Sequence, residues 1–226
     1  PEKKIITVED PVEYRLPRVN QVQVHDQIGL SFSRVLRTAM RQDPDILLVG
    51  EMRDLETAQI GLRAAITGHF VLSTLHTNSA IGTVSRLLDM GAPGYLMASS
   101  LLAIVAQRLV RRVCSHCAVQ HEPDEIQQAW LEGLEHDFDL SGLRIGKGCN
   151  RCGQTGYRGR VGIYEMLELN GEMAAALRRD DHESFAQIAN ASKHFIPLWK
   201  SGLQYAAEGV TSLNEAIRIA GDVEVA

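Results

Sequence analysis

Long hydrophobic runs are missing from this sequence, and aromatic residues are scarce. The longest apolar-rich stretch, residues 101–106 with weak extensions on both sides, is far shorter than the roughly 20 residues that a helix needs to cross a bilayer. Aromatic residues make up 5% of the chain and the net charge is −5, which argues against a protein whose whole surface binds nucleic acid. Hydrophobic residues still make up 45%, enough for a buried core, so a disordered protein is excluded.

Charge is divided unevenly along the 226 residues. Residues 1–113 carry a net charge of +2, whereas residues 114–226 carry −7. We therefore expect the first part to hold an anionic ligand. The chain becomes loop-rich after residue 113, which predicts a boundary there, and its length allows one full domain and a smaller appendage.

Three short apolar runs predict strands within the first 80 residues. Residues 5–8, 46–49 and 70–72 are rich in β-branched or aromatic side chains and lack polar alternation. This composition is typical of strands buried on both faces of a parallel sheet. Helices are predicted between these runs, so the expected fold class is α/β.

The helix predictions rest on capping residues and apolar spacing. Ser31 is the expected N-cap of a helix over 32–42, and Asp54 opens a second helix that Gly68 ends. We also predict one further strand over 161–169. Other helices are predicted over 80–90, 96–112, 172–179, 183–192, 195–208 and 213–220.

All four cysteines lie in two C-x-x-C pairs, Cys114 with Cys117 and Cys149 with Cys152. Two such turns can form a tetrahedral thiolate cage for a structural Zn²⁺. The 31 residues between the pairs imply an inserted hairpin or helix over 122–134. Four reduced cysteines or two disulfides are the alternatives, and the lack of a secretory signal pattern in the sequence disfavours the disulfides.

Each predicted strand of the first sheet leads into an acidic or histidine-containing segment. Glu9 follows the first strand, Glu51 the second and His76 the third. Ligands of open α/β sheets bind at the carboxyl ends of the strands, so the three side chains should converge if the strands are neighbours. Such a set suits phosphoryl transfer to water with Mg²⁺. One such residue alone does not identify a site, because a helix cap or a polar surface group accounts for it equally well.

Three motifs together resemble one protein family. TVEDPVEY (residues 7–14), LVGEMRD (48–54) and GHFVLSTLHTN (68–78) are similar to the Asp box, Walker B and His box of the secretion ATPases that power type II secretion and type IV pilus extension, the GspE/PilB type. The tetracysteine element, followed by GYRGR (156–160), resembles the assembly branch rather than the retraction branch. Within it, the chain resembles the mannose-sensitive haemagglutinin type.

The resemblance implies roles for individual residues. Glu9 is expected to activate water, Glu51 to act as the Walker B acid through Mg²⁺, and His76 to couple the γ-phosphate to conformation. Four arginines match family positions at subunit contacts or in support of hydrolysis: Arg37, Arg41, Arg86 and Arg158. Arginine suits such positions because its guanidinium stays charged and binds phosphate at two points.

The resemblance also implies an architecture and partners. Residues 1–113 are expected to be part of a RecA-like ATPase core, 114–160 a zinc-binding element and 161–226 a mainly helical subdomain. Family members form homohexameric rings that drive inner-membrane platform and assembly proteins. The implied cofactors are ATP, Mg²⁺ and Zn²⁺, and the implied location is cytoplasmic, peripheral at the inner membrane through those partners.

A Walker A loop, G-x-x-x-x-G-K-[S/T], is absent from the 226 residues, since the only Gly-Lys pair, Gly146-Lys147, lies between the cysteine pairs. In the resembled family this loop precedes the Asp box, so we expect the chain to be the C-terminal part of such an ATPase. Without the loop's N–H groups and lysine, phosphate binding is weakened. We therefore predict that this polypeptide alone does not hydrolyse ATP.

Two other functional classes stay open from the residues alone. A zinc-containing nucleic-acid motor or binding module is disfavoured by the net charge of −7 in the cysteine-bearing half. A non-catalytic docking scaffold is distinguished by Glu51→Gln in a longer polypeptide that carries the upstream loop, since unchanged ATPase activity there would favour the scaffold.

Overall fold

Four parallel strands form the first sheet of the computed structural model, which describes residues 2–134 and 136–224. In chain order they are β1 (Ile5–Glu9), β2 (Asn20–Gln23), β3 (Ile46–Val49) and β4 (Phe70–Ser73). Their order in the sheet is β2-β1-β3-β4, with Thr7 paired to Leu48 and Leu48 paired to Leu72. The three strand predictions and the α/β class with a parallel sheet are thereby confirmed.

Burial in this sheet differs between its centre and the β4 side. Val8 in β1 and Val49 in β3 are fully buried, because they lie in one packed cluster with Leu36 of α1. Phe70 and Leu72 in β4 are 51% and 45% exposed. The expectation that residues 70–72 are buried on both faces is therefore wrong, since β4 pairs with β3 along one side and lies at the edge of the described sheet.

Nine helices occur within residues 2–134 and 136–224. They are α1 (Phe32–Ala39), α2 (Leu55–Ile66), α3 (Ala80–Asp89), α4 (Gly94–Ser100), α5 (Glu125–Glu132), α6 (Gly171–Arg178), α7 (His182–Asn190), α8 (Leu198–Ala207) and α9 (Leu213–Glu224). Each is too short or too polar to traverse a bilayer. The four predicted helices after residue 171 are confirmed, and α5 accounts for the expected insertion between the cysteine pairs.

The predicted caps define the ends of α1 and α2. The Ser31 hydroxyl accepts a hydrogen bond from the Arg34 N–H, and the Asp54 carboxylate accepts one from the Thr57 N–H at 2.8 Å. Gly68 follows α2 with a φ of +102°, which a residue with a Cβ adopts only under strain. The capping side chains accept hydrogen bonds from backbone N–H groups that have no partner within the helix, which is why a capping residue marks a helix end in the sequence.

The helix predicted over 96–112 is wrong beyond its first turns. Helix α4 ends at Ser100, and β5 (Ala103–Val113) follows. Burial alternates along β5, with Ile104, Ala106 and Val110 buried and the residues between them more exposed. Burial that repeats every second residue is the pattern of a strand with one face covered. The sequence does not show this alternation, because several of the exposed residues between the buried ones are also apolar.

Strand β5 pairs with a second long strand, β8 (Tyr157–Glu168), which begins four residues before the predicted start at residue 161. The Cys114 N–H bonds to the Gly156 carbonyl at one end, and the Leu169 N–H bonds to the Leu102 carbonyl at the other. These bonds make β5 and β8 an antiparallel ribbon. Two short strands, β6 (Ala118–Gln120) and β7 (Arg144–Gly146), pair antiparallel between the cysteine pairs.

The chain divides into two compact units. The first comprises residues 2–77, 81–103 and 169–191, and the second comprises 78–80, 104–168 and 192–224. The expected division into 1–113, 114–160 and 161–226 stays a prediction. The bounds of the two units differ from it, since α6 and α7 belong to the first unit. Leu143, Leu203 and Leu213 lie in a buried cluster of the second unit.

A buried carboxylate links α9 to the β5–β8 ribbon in the second unit. Glu215 is 1% exposed and accepts hydrogen bonds from the Arg111 backbone N–H at 2.8 Å and from Arg111 Nη2 at 2.9 Å. Burial opposes its ionisation, but the side-chain and backbone donors of Arg111, together with Arg218, hold the pKa of Glu215 below its usual value. The ionised form is therefore the one that the folded chain favours.

Replacing Glu215 should lower stability in a pH-dependent way. Glu215→Gln is expected to cost about 3 kcal/mol at pH 7, the lower end of the range for breaking a buried ion pair, because Arg111 is half exposed. Since the folded pKa is depressed, the contribution is complete above the ordinary value of 4.5 and is lost as pH falls through the folded pKa. Urea unfolding at several pH values measures both effects.

The exposed Glu208, which follows α8, supplies the control, since Glu208→Gln should change the free energy of unfolding by less than about 0.5 kcal/mol. A difference between the Glu215→Gln protein and the unmodified chain that stays constant down to pH 3 would contradict the assignment.

Candidate functional site

Three side chains predicted from strand ends meet at the carboxyl edge of the first sheet. Glu9 is the last residue of β1, Glu51 lies two residues after β3, and His76 lies three residues after β4. All three line one cavity of about 350 Å³, which also includes Asp10, Glu13, Tyr14 and Thr74. The expected convergence on one crevice therefore occurs, because β1, β3 and β4 are successive neighbours.

Gly50 sets the close approach of the first two acidic residues. Its N–H donates to the Val8 carbonyl at 2.7 Å. A Cβ at this position would lie 3.0 Å from the Val8 carbonyl oxygen and 3.3 Å from the Glu9 Cα, both backbone atoms that cannot yield easily. A glycine thus lets the chain leave β3 directly beside the end of β1, which brings Glu51 next to Glu9.

Glu51 is held between two cationic or potentially cationic side chains. Its side chain is only 13% exposed, its Oε2 lies 3.2 Å from His76 Nε2, and its Oε1 accepts a hydrogen bond from Arg53. Arg53 Nη2 also lies 3.5 Å from Asp10 Oδ2. The Arg53 guanidinium, with a smaller contribution from His76, holds the pKa of Glu51 below its usual value.

Glu9 is positioned by neutral donors from two strands. Gln21 Nε2 on β2 donates to Glu9 Oε1 at 2.9 Å, and the Thr7 hydroxyl on β1 donates to the same oxygen. One oxygen of Glu9 is thus anchored. Glu9 is therefore oriented by an amide and a hydroxyl.

Sequence reasoning missed several residues that shape this site. Arg53 lies in the motif at 48–54 but was given no role, although its spacing of two from Glu51 was a usable signal. The Thr74 hydroxyl donates to the Gly50 carbonyl at 2.6 Å, and the Met52 N–H donates to the Thr74 carbonyl at 3.0 Å, which ties the loops after β3 and β4 together. Gln21 gave no signal, because β2 itself was not predicted.

The charge of the cavity indicates the kind of ligand that it can hold. Four carboxylates line or border it, from Glu9, Asp10, Glu13 and Glu51, against one arginine. Such an edge repels a bare phosphate and favours a divalent cation with oxygen ligands. Glu9 and Glu51 suit a hydrated Mg²⁺ that carries a phosphate with it, which is the chemistry expected from the sequence.

The four predicted arginines lie elsewhere on the surface. Arg37 on α1 pairs with Glu56 on α2, and both side chains are more than half exposed. Arg41 follows α1, Arg86 lies on α3, and both are exposed. Among the described residues that line the cavity, Arg37, Arg41 and Arg86 do not occur. Arg158 is exposed at the start of β8, in the second unit. Their roles stay predictions.

The four cysteines form a cluster that fits a zinc ion. Their Sγ atoms all lie within 4.8 Å of one another. The separations are 4.0 Å for Cys114–Cys149, 3.9 Å for Cys117–Cys152 and 3.7 Å for Cys149–Cys152. A tetrahedral site with Zn–S bonds of about 2.3 Å places its sulfurs about 3.8 Å apart. A disulfide needs about 2.05 Å, so the disulfide alternative does not fit.

Backbone contacts hold the cysteine turns in place. The Cys149 and Gly156 N–H groups point to Cys152 Sγ at 3.2 and 3.3 Å. Burial opposes ionisation of Cys152, but these donors and the neighbouring thiols lower its pKa to about 6, while burial raises the pKa of Cys117 to about 12. A divalent cation would stabilise all four thiolates together.

Comparison with known protein families gives a match over nearly the whole chain. A family model described as "Type II/IV secretion system protein" matches residues 1–218. Type II secretion system protein E of Klebsiella pneumoniae is 45% identical over 221 residues, which cover 96% of this chain and 43% of that protein. Type IV pilus assembly ATPase PilB of Thermus thermophilus is 43% identical over 217 residues, 96% of this chain and 24% of that protein. The chain thus spans less than half the length of these relatives.

Solved structures show the same fold. The pilus retraction motor PilT with bound ADP superposes with a TM-score of 0.68 at 28% identity, covering 99% of this chain and 54% of that one. The ATPase DotB of Legionella pneumophila also gives a TM-score of 0.68, at 20% identity and over 97% of this chain and 52% of that one. The second likeness supports the fold alone.

The cysteine cluster should bind one zinc ion per chain. Cys152→Ser is expected to reduce bound zinc, measured by inductively coupled plasma mass spectrometry, to below about a fifth of an equivalent and to lower Tm by roughly 5–10 °C. Ser115→Ala in the other C-x-x-C turn removes no thiol and should keep the full equivalent. Full zinc content in the Cys152→Ser protein would exclude the site.

Arg53 should control the ionisation of Glu51. Arg53→Gln is expected to raise the pKa of Glu51 towards its usual value, because the first cause of the depression is removed. A ¹³C NMR titration of the Glu51 carboxyl measures the change. Arg63→Gln on the exposed side of α2 is the matched control, and an equal shift in both proteins would refute the contact.

Proposed function

The chain belongs to the Type II/IV secretion system protein family, and we propose that it supplies the acidic, water-activating side of the nucleotide site in a mechanochemical ATPase of that family. The observation that carries the proposal is the cavity at the carboxyl edge of the first sheet, where Glu9, Glu51 and His76 lie together. A relative named as a type IV pilus assembly ATPase and a solved structure named as a pilus retraction motor with bound ADP support the same activity.

The three residues divide the work by their surroundings. Glu9, held by neutral donors, orients and deprotonates the attacking water. Glu51, ionised beside Arg53, would hold a hydrated Mg²⁺, which would supply charge neutralisation for the leaving phosphate. His76 contacts Glu51 at 3.2 Å, so a ligand that changes the ionisation or position of Glu51 also changes the His76 loop.

The remaining expectations belong to the larger protein. We propose that Arg37, Arg41, Arg86 and Arg158 act in nucleotide or subunit contacts of a homohexamer, which agrees with their exposure on one chain. The assembly would act in the cytoplasm at the inner membrane on platform proteins of a pilus or secretion system. The cysteine cluster would hold a structural Zn²⁺, since four thiolates leave no open position for catalysis. Relatives named for secretion and pilus assembly favour this over a nucleic-acid module or a docking scaffold.

Glu51→Gln tests the proposal in a polypeptide that carries a Walker A loop upstream of residue 1. ATP turnover, measured by phosphate release, should fall at least 100-fold, because the amide cannot replace the charge that holds Mg²⁺. Asp89→Asn, an exposed carboxylate on α3, is the control and should turn over ATP at the unmodified rate.

The 226-residue chain without that loop should show no turnover above background. Unchanged turnover after Glu51→Gln would overturn the proposed function and favour a docking scaffold.

A further inference from the structure

The loop between β1 and β2, residues 10–19, forms one wall of the cavity but lies mostly on the surface of the first unit. Glu13 and Tyr14 line the cavity, yet Tyr14 is 79% exposed and Leu16 is 53% exposed. A loop that buries so little apolar surface depends on hydrogen bonds for its position. The side chains that make those bonds therefore decide how this wall of the cavity is placed.

Gln21 of β2 holds this loop through both ends of its side-chain amide. Its Nε2 donates to the Tyr14 carbonyl at 2.9 Å, and its Oε1 accepts from the Leu16 N–H at 2.7 Å. The same Nε2 donates to Glu9 Oε1, also at 2.9 Å. A primary amide has two N–H donors, so these contacts use both of them. One side chain thus joins the loop to Glu9.

The register of β1 and β2 accounts for this reach. The two strands are parallel, with Thr7 opposite Gln21, and side chains two residues apart along a strand lie on the same face. Thr7, Glu9 and Gln21 therefore share one face of the sheet. Val8 and Val22 lie on the other face, where they pack in one hydrophobic cluster. The position of Gln21 is thus set by the sheet, not by the loop that it holds.

The two donors to the Glu9 carboxylate converge on one oxygen. The Thr7 hydroxyl donates to Oε1, as does Gln21. A single donor lets a carboxylate pivot about that contact, whereas donors from two strands fix its direction. With Oε1 held in this way, Oε2 is the oxygen that Glu9 can present to a ligand in the cavity.

We propose that Gln21 is a positioning residue that aims Oε2 of Glu9 at the attacking water and links that aim to the cavity wall formed by residues 10–19. The inference rests on the proposed function, in which Glu9 deprotonates the water. As the water oxygen bonds to the γ-phosphorus, its proton passes to Oε2, and the bond to the bridging oxygen breaks with ADP leaving. Gln21 acts through Glu9 and exchanges no proton itself.

Kinetics in a polypeptide that carries a Walker A loop upstream of residue 1 test the positioning. Gln21→Met removes the amide at nearly constant size and adds no charge. The kcat for ATP hydrolysis should fall roughly tenfold or more, while the KM for ATP stays within about threefold, because the aim of the base is lost and not the binding of the nucleotide.

Gln23 offers a matched control on the same strand. Its Oε1 accepts from the Val12 N–H of the same loop at 3.3 Å, so Gln23→Met loosens the loop without removing a donor to Glu9. This variant should leave kcat within about twofold. Equal losses of kcat in the Gln21→Met and Gln23→Met proteins would show that the order of the loop matters and not the aim of Glu9, which would overturn the proposal.

Two further variants keep the test decisive if Gln21→Met fails to fold. Gln21→Glu can still accept from the Leu16 N–H but has no N–H for Glu9, so kcat should fall at least as far. Thr7→Val removes the other donor at the same size and should lower kcat less, because Gln21 remains. If a folded Gln21→Glu protein keeps full kcat and Thr7→Val loses it, Thr7 alone positions Glu9 and the proposal fails.

NMR on the 226-residue chain tests the contact without nucleotide. In the Gln21→Met protein the Leu16 amide should exchange with solvent roughly tenfold faster, because its acceptor is removed. The ¹³C signal of the Glu9 carboxyl should shift, whereas Gln23→Met should leave that signal in place. An unchanged Glu9 signal in the folded Gln21→Met protein would contradict the positioning.

Glu9→Gln separates this proposal from the proposed function. If Glu9→Gln keeps full turnover in the longer polypeptide, Glu9 is not the base, and the proposed function fails even where NMR shows the contact with Gln21. If Glu9→Gln lowers turnover by about 100-fold and a folded Gln21→Met protein keeps full kcat, the proposed function stands and the positioning by Gln21 fails.

Discussion

The pairing of β1 with β3 is the constraint on which the candidate site depends. Parallel neighbours end at the same edge, and Gly50 lets the chain turn out of β3 in contact with the Val8 carbonyl and the Glu9 backbone. Two carboxylates are thereby brought to one cavity, where their mutual repulsion requires compensating charge. Arg53 supplies part of it within the chain. A site arranged in this way is prepared for a cation before any ligand arrives.

Local signals made part of the fold predictable. Ser31 and Asp54 cap their helices as expected, because a capping interaction involves residues three apart in the sequence. Strand β2 was missed because its sequence, NQVQ, has little apolar character and becomes a strand by pairing with β1. Strand β5 was read as a helix because apolar residues lie on both of its faces, and the choice is made by β8, which is more than 40 residues away. Tertiary pairing therefore overrode local preference in both cases.

Some residues of the candidate site could also be identified from the sequence, and others could not. Glu9, Glu51 and His76 could be found because strand ends are visible in the sequence and topology brings such ends together. The cysteines could be found by spacing alone. Gln21 and Thr74 could not, because their contacts depend on side-chain conformations and on strands whose order the sequence does not state. The buried Glu165 on β8 was equally hidden, since it accepts hydrogen bonds from the N–H groups of Ala80 and Leu198, which lie 85 and 33 residues away.

The cysteine cluster closes the segment between its two pairs into a loop whose ends nearly coincide. Cys114 lies 4.0 Å from Cys149, and Cys117 lies 3.9 Å from Cys152, measured between sulfurs. Doubling the length of a flexible closed loop costs only about 0.6 kcal/mol of chain entropy. The exposed turns of the intervening segment can therefore gain or lose residues during evolution, whereas Leu143 stays constrained by its packing with Leu203 and Leu213. Sequence drift at those turns alters the surface of the second unit while the two cysteine turns keep their places.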